Sequence, residues 1–473
     1  MIVGRMKAAL ALVMVTCGVA IAAPATLAAA GPQDASLLLS SPHSFQVFQR
    51  GADGRGDILI AGRAAGLGND LEVRWGDEPW VPFAGRPDGR FTLRLGDRPA
   101  GQAALQVRSA SRQDVVASCE YVGVGDIYVV AGQSNASGRG TSPNWYTSPV
   151  FRAALFGNDD RWKDLVDPVD SAAGQVDRVS ADGDAGGSVW PLLATELMAA
   201  ENVPVAFVPC AKSGSSIVRW EEHPAASHPS RTLFGSMLRR VRAVGGRVRA
   251  VLFWQGEADA RRLTSRQAYA AGLRSLAAAL AHDCRAPLVV AQIGDYDPRA
   301  WSAGGVNAIR LAQQQGWRAG WALAGPALYD IDLHGHAHFT DADDELVAAH
   351  RWAAAVFAAV LHRAVPSAPR LKSARYDGGL TVTLRFAGGG ASLRPGEAGG
   401  LVVRAAGDPL QVTAFVTATD TVTLLLAAPS LLPLTVSLGS GREAAGRPVP
   451  VDDSPWALPA QVFVDHPVAR SAE

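Results

Sequence analysis

Apolar and polar residues alternate along the first part of the chain. Between residues 45 and 122, short alternating runs are separated by clusters of Gly, Asp and Pro. Such runs lie at residues 57–61, 71–75, 91–95 and 104–108. A period of two, interrupted by turn residues, is typical of half-buried antiparallel strands. We therefore expect an N-terminal β-sandwich domain over residues 31–122.

Continuous apolar runs replace this alternation in the middle of the chain. They lie at residues 126–131, 204–209, 250–254 and 287–292. Helical periodicity is found at residues 191–200, 233–244, 265–282, 306–315 and 342–363. Strands that are apolar on both faces and alternate with helices indicate a three-layer α/β domain with a mainly parallel sheet. We expect this domain to span residues 123–365.

Alternation returns after the Pro-rich segment 366–369, which has the composition of a linker. The alternating runs lie at residues 380–386, 400–404 and 421–426. They predict a second β-sandwich domain over residues 366–473.

The first thirty residues have the pattern of a signal peptide. Arg5 and Lys7 precede the apolar run 8–23, and three alanines at 28–30 supply small residues for cleavage. An uncleaved anchor is the alternative, but the run is shorter than the roughly 20 residues that cross a bilayer. We expect residues 1–30 to be removed and the protein to be exported, to the periplasm or the medium.

Charge and cysteine content exclude several classes of function. The chain has 44 basic and 44 acidic residues, so nothing in its charge favours a nucleic acid or an anionic membrane as partner. Beyond Cys17, in the predicted signal peptide, the cysteines are Cys119, Cys210 and Cys284, whose spacing matches no zinc motif. Each is expected to be a small buried side chain.

The first apolar strand of the central domain leads directly into Gly132-Gln-Ser-Asn135. A side chain at the carboxyl end of a parallel strand reaches the crevice where open α/β sheets bind ligands. Ser134 is therefore a candidate nucleophile. The alternative is that Ser134 and Asn135 only shape a turn or cap the next helix.

Four motifs resemble those of the SGNH hydrolases, and among these the sialate O-acetylesterase and acetylxylan esterase group of carbohydrate esterases. In chain order they are Val122-Gly-Val-Gly-Asp-Ile-Tyr-Val-Val-Ala-Gly-Gln-Ser-Asn135, Lys212-Ser-Gly-Ser-Ser-Ile-Val-Arg-Trp220, Trp254-Gln-Gly-Glu-Ala-Asp259 and His338-Phe-Thr-Asp-Ala342. The resemblance covers roughly residues 122–363. It implies a flavodoxin-like SGNH fold and a serine esterase, without a cofactor, that removes acetyl groups from a carbohydrate.

The resemblance also implies roles for individual residues. Ser134 is the nucleophile and His338 the general base. The oxyanion hole consists of the backbone N–H groups of Ser134 and Gly214 and the side-chain amide of Gln255, and glycine at 214 allows a close approach of the substrate. Asn135 and Glu257 are supporting residues; they are expected to hold the loops of the site together.

The carboxylate that orients the base is the point at which the chain departs from the family. Members usually carry Asp three residues before the catalytic His, and here that residue is Gly335. Asp332, three residues further upstream, is the first candidate for this role. Asp341, Glu257, or a Ser–His dyad oriented by a backbone carbonyl are alternatives.

Two other functions remain open. The run His334-Gly-His336-Ala-His338 places three imidazoles on one side of an extended segment, where they would suit a zinc ion in a metallohydrolase. The absent Asp also allows a non-catalytic glycan-binding protein with a degenerate esterase domain. The sequence is compatible with acetyl esters of sialic acid, xylan, pectin or bacterial polysaccharides, and it indicates no oligomeric state.

Overall fold

The computed structural model describes residues 35–180, 182–221, 231–294, 303–388, 392–394, 396, 398–439 and 447–471. The predicted signal peptide, residues 1–30, lies outside these ranges. No helix in the described part of the chain is both long enough and apolar enough to cross a membrane.

Strands make up the N-terminal part. Their bounds are β1 (Ser36–Ser41), β2 (Val47–Gln49), β3 (Arg55–Ala65), β4 (Asp70–Trp75), β5 (Val81–Ala84), β6 (Arg90–Pro99), β7 (Gly101–Ser109) and β8 (Val116–Gly132). With one another they all pair antiparallel except β2, which pairs parallel with β8. Strands β1, β3 and β6 form one sheet, and β5, β4, β7 and β8 pair in that order in another. The four strands predicted from alternation are confirmed, as β3, β4, β6 and β7.

Strands and helices alternate in the central part. The further strands are β9 (Ala154–Phe156), β10 (Trp162–Asp164), β11 (Val205–Pro209), β12 (Ala250–Trp254), β13 (Leu288–Gln292) and β14 (Leu323–Ala327). The helices are α1 (Ser134–Ser137), α2 (Trp190–Glu201), α3 (Ile217–Glu221), α4 (Leu233–Ala243), α5 (Glu257–Arg261), α6 (Arg266–Asp283), α7 (Ala303–Ala319) and α8 (Ala342–Ala359). The sheet order is β10-β9-β11-β8-β12-β13-β14, and all neighbours are parallel except β10 and β9.

Alternate residues of the central strands face two separate cores. In β8, Ile127 and Val129 share a buried cluster with residues of α4, α6 and α7, whereas Tyr128 and Val130 share another with α2 and α8. Helices therefore cover both faces of the sheet. This burial on two sides explains why the central strands are continuously apolar.

One strand, β8, belongs to both the N-terminal and the central part. Its first half pairs antiparallel with β7, and from Asp126 onward it pairs parallel with β11. The predicted boundary between residues 122 and 123 lies within this strand. Arg50 reinforces the junction, because its guanidinium donates to Asp126 Oδ2 at 2.7 Å and to Glu201 Oε2 at 3.0 Å.

The C-terminal part is an eight-stranded sheet. Its strands are β15 (Arg370–Tyr376), β16 (Thr381–Ala387), β17 (Leu401–Ala405), β18 (Asp408–Pro409), β19 (Val412–Thr417), β20 (Thr421–Leu426), β21 (Leu434–Leu438) and β22 (Phe463–Arg470). The order is β18-β17-β21-β22-β15-β16-β20-β19. The three predicted runs are confirmed as β16, β17 and β20, while β15 begins directly after the Pro-rich segment.

The predicted class, an α/β protein, is confirmed, with mixed sheets. The four apolar runs and five helical segments of the central part are also present, although α8 ends at Ala359 rather than at residue 363. Strand β14 was not predicted, because its sequence, Leu-Ala-Gly-Pro-Ala, contains no continuous apolar run. It lies at the edge of the sheet, where a strand tolerates proline. Cys119, Cys210 and Cys284 are free and buried, as expected.

Candidate functional site

Ser134 lies where β8 passes into the short helix α1. Gly132 ends the strand with a φ of +133°, and a Cβ on it would lie 2.0 Å from the carbonyl oxygen of Trp254. Only glycine fits both this conformation and this close approach. The turn presents Ser134 at the carboxyl end of β8, with 9% of its surface exposed.

The exposed part of Ser134 faces a cavity of about 170 Å³. Loops that follow β8, β11 and β12, together with the loop before α8, supply its walls. The lining residues are Gln133, Ser134, Arg139, Ser213, Gly214, Glu257, Ala258, Arg261 and His338. The structure thus brings together four of the sequence-predicted residues, namely Ser134, Gly214, Glu257 and His338.

His338 shares the cavity with Ser134, although no hydrogen bond joins the two side chains within the described residues. Burial lowers the pKa of His338 to about 4; the nearby Arg139 cation acts in the same direction, and the Asp182 carboxylate opposes it. The imidazole is therefore neutral at pH 7 and can accept a proton. An apo enzyme often lacks the final serine–base hydrogen bond, which tightens only with substrate.

Two backbone N–H groups of the cavity are free to bind an anion. Within the described residues, neither Ser134 nor Gly214 donates its N–H to another protein group. Gly214 has a φ of +66°, a left-handed conformation that favours glycine, and no atom lies within 4 Å of the place a Cβ would occupy. This open space leaves room for a substrate beside the N–H.

Gln255 does not line the cavity, in contrast to the oxyanion role that the resemblance implies. Its side chain is fully buried, and Nε2 donates to Ser215 O at 3.0 Å and to Asp259 Oδ2 at 2.6 Å. Asp259 Oδ2 also accepts from the Ile217 N–H at 2.8 Å. Gln255 therefore ties the loop after β11 to α5, and its amide hydrogens are already occupied.

Gln133 lines the cavity instead. Its Oε1 accepts from the Ala258 N–H at 3.0 Å and from the Gly256 N–H at 3.4 Å, which fixes the orientation of the amide. Within the described residues, Nε2 of Gln133 has no hydrogen-bond partner. No local pattern marks Gln133, because its Oε1 contacts the start of α5, up to 125 positions away along the chain.

The supporting residues Asn135 and Glu257 contact each other. Asn135 Nδ2 donates to Glu257 Oε1 at 3.0 Å, and burial raises the pKa of the Glu257 carboxyl above its ordinary value while this hydrogen bond acts against the rise. The contact joins α1 to α5 directly beneath the cavity.

Asp332 contacts His334 rather than His338. Its Oδ1 accepts from the His334 N–H at 2.7 Å, and its Oδ2 lies 3.7 Å from His334 Nδ1. The other ring nitrogen of His334 lies 3.4 Å from Asp344 Oδ2. Asp341, an alternative candidate, caps α8 by accepting from the Asp343 N–H at 2.8 Å.

The three clustered histidines do not share one environment. His338 faces the cavity, whereas His334 and His336 are exposed. Across the described ranges, no group of three or more His, Cys, Asp and Glu side chains is placed to hold a metal ion.

An arginine network that the sequence did not reveal forms one wall. Arg139 Nη2 donates to Asp182 Oδ1 at 2.5 Å and to Ser213 Oγ at 2.8 Å, and Nη1 lies 3.2 Å from Asp184 Oδ2. Ser213 Oγ also donates to Asp182. Arg139 lies four residues after the Gly-Gln-Ser-Asn motif. This closeness to the candidate nucleophile is the feature of the sequence that could have indicated a place for Arg139 in the cavity wall.

Known proteins share the fold and part of the sequence. A probable carbohydrate esterase of Arabidopsis thaliana is 27% identical over 207 residues, which cover 40% of this chain and 74% of the relative. The crystal structure of a carbohydrate acetylesterase from Xanthomonas citri superposes with a TM-score of 0.56 at 19% identity, covering 90% of this chain and 99% of that one. The latter similarity shows a common fold across nearly the whole chain.

The sequence of the central part matches a family model as well. The matched segment is residues 124–334, and the family is described as carbohydrate esterase, sialic acid-specific acetylesterase. The segment contains the second and third motifs and all but the first two residues of the first motif, including Ser134, Gly214 and Gln255. These comparisons confirm the predicted resemblance of this chain to the sialic acid-specific acetylesterase family of carbohydrate esterases.

Proposed function

We propose that the protein is a serine esterase that removes acetyl groups from a carbohydrate through an acyl-enzyme on Ser134. One observation supports this proposal most strongly: Ser134, a neutral His338 and two backbone N–H groups that lack a protein acceptor within the described residues line the same cavity. A nucleophile, a base and an oxyanion hole are the three groups that acyl transfer requires. The family resemblance supports the acetyl ester and the carbohydrate.

The residues of the cavity account for each step. His338 takes the proton of Ser134 as Oγ attacks the acetyl carbonyl carbon, and the carbonyl oxygen becomes negative in the tetrahedral intermediate. The C–O bond to the sugar then breaks, and His338 returns its proton to the departing sugar oxygen. A water molecule, deprotonated by His338, attacks the acetyl-serine, and acetate leaves as Ser134 recovers its proton.

Three donors are proposed for the oxyanion. Two are the N–H groups of Ser134 and Gly214, which nothing else in the described protein occupies. The third is Nε2 of Gln133, which takes the place predicted for Gln255. The contact of Gln133 Oε1 with the Ala258 N–H orders this amide before substrate binds, as oxyanion catalysis requires.

His338 is proposed to act without a hydrogen-bonded carboxylate. Asp332 contacts His334, and Glu257 contacts Asn135, so neither of these two candidates holds the imidazole. Burial beside Arg139 keeps His338 neutral, and Asp182 is the nearby negative charge that favours the imidazolium formed during attack. The site therefore operates as a Ser134–His338 pair.

For the chain as a whole we propose the three-layer SGNH architecture between two β-sandwich domains. The helices on both faces of the parallel strands and the antiparallel sheets on either side support this description. We also keep the domain limits 31–122, 123–365 and 366–473, and export after removal of residues 1–30, as proposals.

Replacing Ser134 by Ala is expected to abolish hydrolysis of a small aryl acetate, since the acyl group then has no covalent acceptor. The matched control is Ser137→Ala, because Ser137 lies on the same short helix but does not line the cavity. Initial rates and circular dichroism of both variants are the measurements. Near wild-type turnover by Ser134→Ala would reject the serine mechanism, and an inactive but folded wild-type protein would favour the glycan-binding alternative.

The pH dependence follows from the depressed pKa of His338. Because the base must be unprotonated, a pKa of about 4 extends activity to lower pH than an ordinary histidine allows. We expect kcat/KM for an aryl acetate to stay level down to about pH 5 and to decrease through about pH 4. An acidic limb near pH 6.5 would show that His338 is not buried as described.

The variant Asp332→Asn is expected to retain turnover within about tenfold of wild type, since Asp332 contacts His334 and not the base. His334→Ala should behave in the same way, whereas His338→Ala should lose nearly all turnover. Steady-state kinetics on one substrate compare the three. A decrease of several orders of magnitude in Asp332→Asn would restore the triad predicted from the sequence.

Gln133→Glu is expected to lower kcat by about 100-fold or more with little change in KM, because it keeps the acceptor for Ala258 but removes the oxyanion donor. Gln255→Met should instead lower the melting temperature, because it removes the buried hydrogen bonds to Ser215 and Asp259. The kcat of the folded protein should remain within about tenfold of the wild-type value. A wild-type kcat in Gln133→Glu together with an about 100-fold loss of kcat in Gln255→Met would assign the third donor to Gln255.

A further inference from the structure

A second, larger cavity lies between the central part and the C-terminal sheet. Its volume is about 430 Å³, within the usual range for small-ligand sites. Four cationic side chains from three elements line it: Arg266 at the start of α6, Arg318 in the last turn of α7, and Arg370 and Lys372 on β15. No Asp or Glu is among the described residues of its lining.

These four cations lack counter-ions within the described residues. Arg318, Arg370 and Lys372 have neither an ion pair nor a side-chain hydrogen bond, and Arg266 donates only to the neutral amide Oε1 of Gln315, at 3.3 Å. All four side chains are exposed, in contrast to the buried Arg351, which donates to both oxygens of Asp330. Unpaired charges of one sign around a cavity produce a positive potential that attracts anions.

The rest of the lining favours a sugar over a bare inorganic ion. Gln314 is 2% exposed, and its buried Nε2 has no hydrogen-bond partner within the described residues, so it is a donor in need of an acceptor. Phe463 and His466 add ring surfaces, with centroids 6.2 Å apart in an edge-to-face arrangement. A ligand with hydroxyl groups, apolar ring faces and negative charge would use all of these.

The two cavities lie within reach of one oligosaccharide. Arg261 lines the cavity of Ser134, and Arg266 lines the second cavity. Five residues of chain extend by at most about 18 Å, which limits the distance between their Cα atoms. Arg139 and Arg261 both line the first cavity, where Arg139 is paired with Asp182 and Asp184.

We propose that the second cavity binds carboxylate-bearing segments of a carbohydrate chain whose acetyl esters are cleaved at Ser134. The substrate class is thus an acidic, acetylated polysaccharide. The carbohydrate nature of the ligand rests on the proposed function, whereas the preference for an anion rests on the four cations alone.

The test is calorimetric titration of the full chain carrying Ser134→Ala, which prevents turnover. The probes are an oligogalacturonate and a neutral cello-oligosaccharide of equal length. We expect the acidic probe to bind more tightly than the neutral one, with an affinity that decreases as salt is added. The combination Arg318→Gln, Arg370→Gln and Lys372→Gln should weaken binding of the acidic probe at least tenfold.

Control variants each remove one positive charge outside the cavity, for comparison with the single changes Arg318→Gln and Arg370→Gln. Arg375→Gln lies on β15 and Arg274→Gln on α6; both residues are exposed and neither lines the cavity. These variants should bind the acidic probe as well as the parent does. With Ser134 restored, all variants should hydrolyse an aryl acetate at the wild-type rate, because that substrate does not reach the second cavity.

Other outcomes would overturn the proposal. Equal affinity for the acidic and neutral probes, or equal losses in the cavity and control variants, would remove the anion site. Displacement of the oligogalacturonate by an equimolar amount of inorganic phosphate would show a site for small anions rather than for a carbohydrate. Failure of the esterase proposal has a separate signature, namely no aryl acetate hydrolysis by the wild type while charge-dependent binding persists.

Discussion

The close contact between Gly132 and the backbone of Trp254 determines the geometry of the cavity that Ser134 faces. No side chain fits between β8 and β12 at this level, since a Cβ on Gly132 would lie 2.0 Å from Trp254 O. The same carbonyl accepts the Gln133 N–H at 3.0 Å. The chain therefore leaves the sheet at one fixed point, and Ser134 and Gln133 are held against the loop that follows β12.

The loops around this turn are joined by side chains rather than by regular structure. Gln133 contacts the Ala258 N–H, Asn135 contacts Glu257, and Gln255 contacts Ser215 and Asp259, so the loops after β8, β11 and β12 form one hydrogen-bonded unit. Such order before substrate binding is what makes backbone N–H groups effective towards an oxyanion. Burial is the main cause of the low pKa of His338, and Arg139, which is paired with Asp182 and Asp184, acts in the same direction.

Local patterns in the sequence were sufficient for the central strands and the longer helices, and they placed Ser134, the proposed nucleophile, at the end of a strand. The apolar run 126–131 predicted the strand that delivers Ser134, and its burial on both faces is the physical reason for the run. His338 was found through its motif, and the structure places it beside Ser134. Side-chain contacts could not be predicted in the same way. The partners of Gln255, Asp332 and Arg139 depend on how loops pack against one another, and no local sequence pattern indicates that packing. The second cavity is a still clearer case, because its cations come from residues as far apart as 266 and 372.

The proposed mechanism requires a covalent acetyl group on Ser134, and mass spectrometry of the protein detects that group. A reaction with an aryl acetate, quenched in acid within milliseconds and digested, is expected to give one peptide that contains Ser134 and is heavier by one acetyl group. Ser134→Ala should give no such peptide, whereas Ser137→Ala should give it unchanged. Rapid release of acetate by the wild type without any acetylated Ser134 peptide would contradict the account.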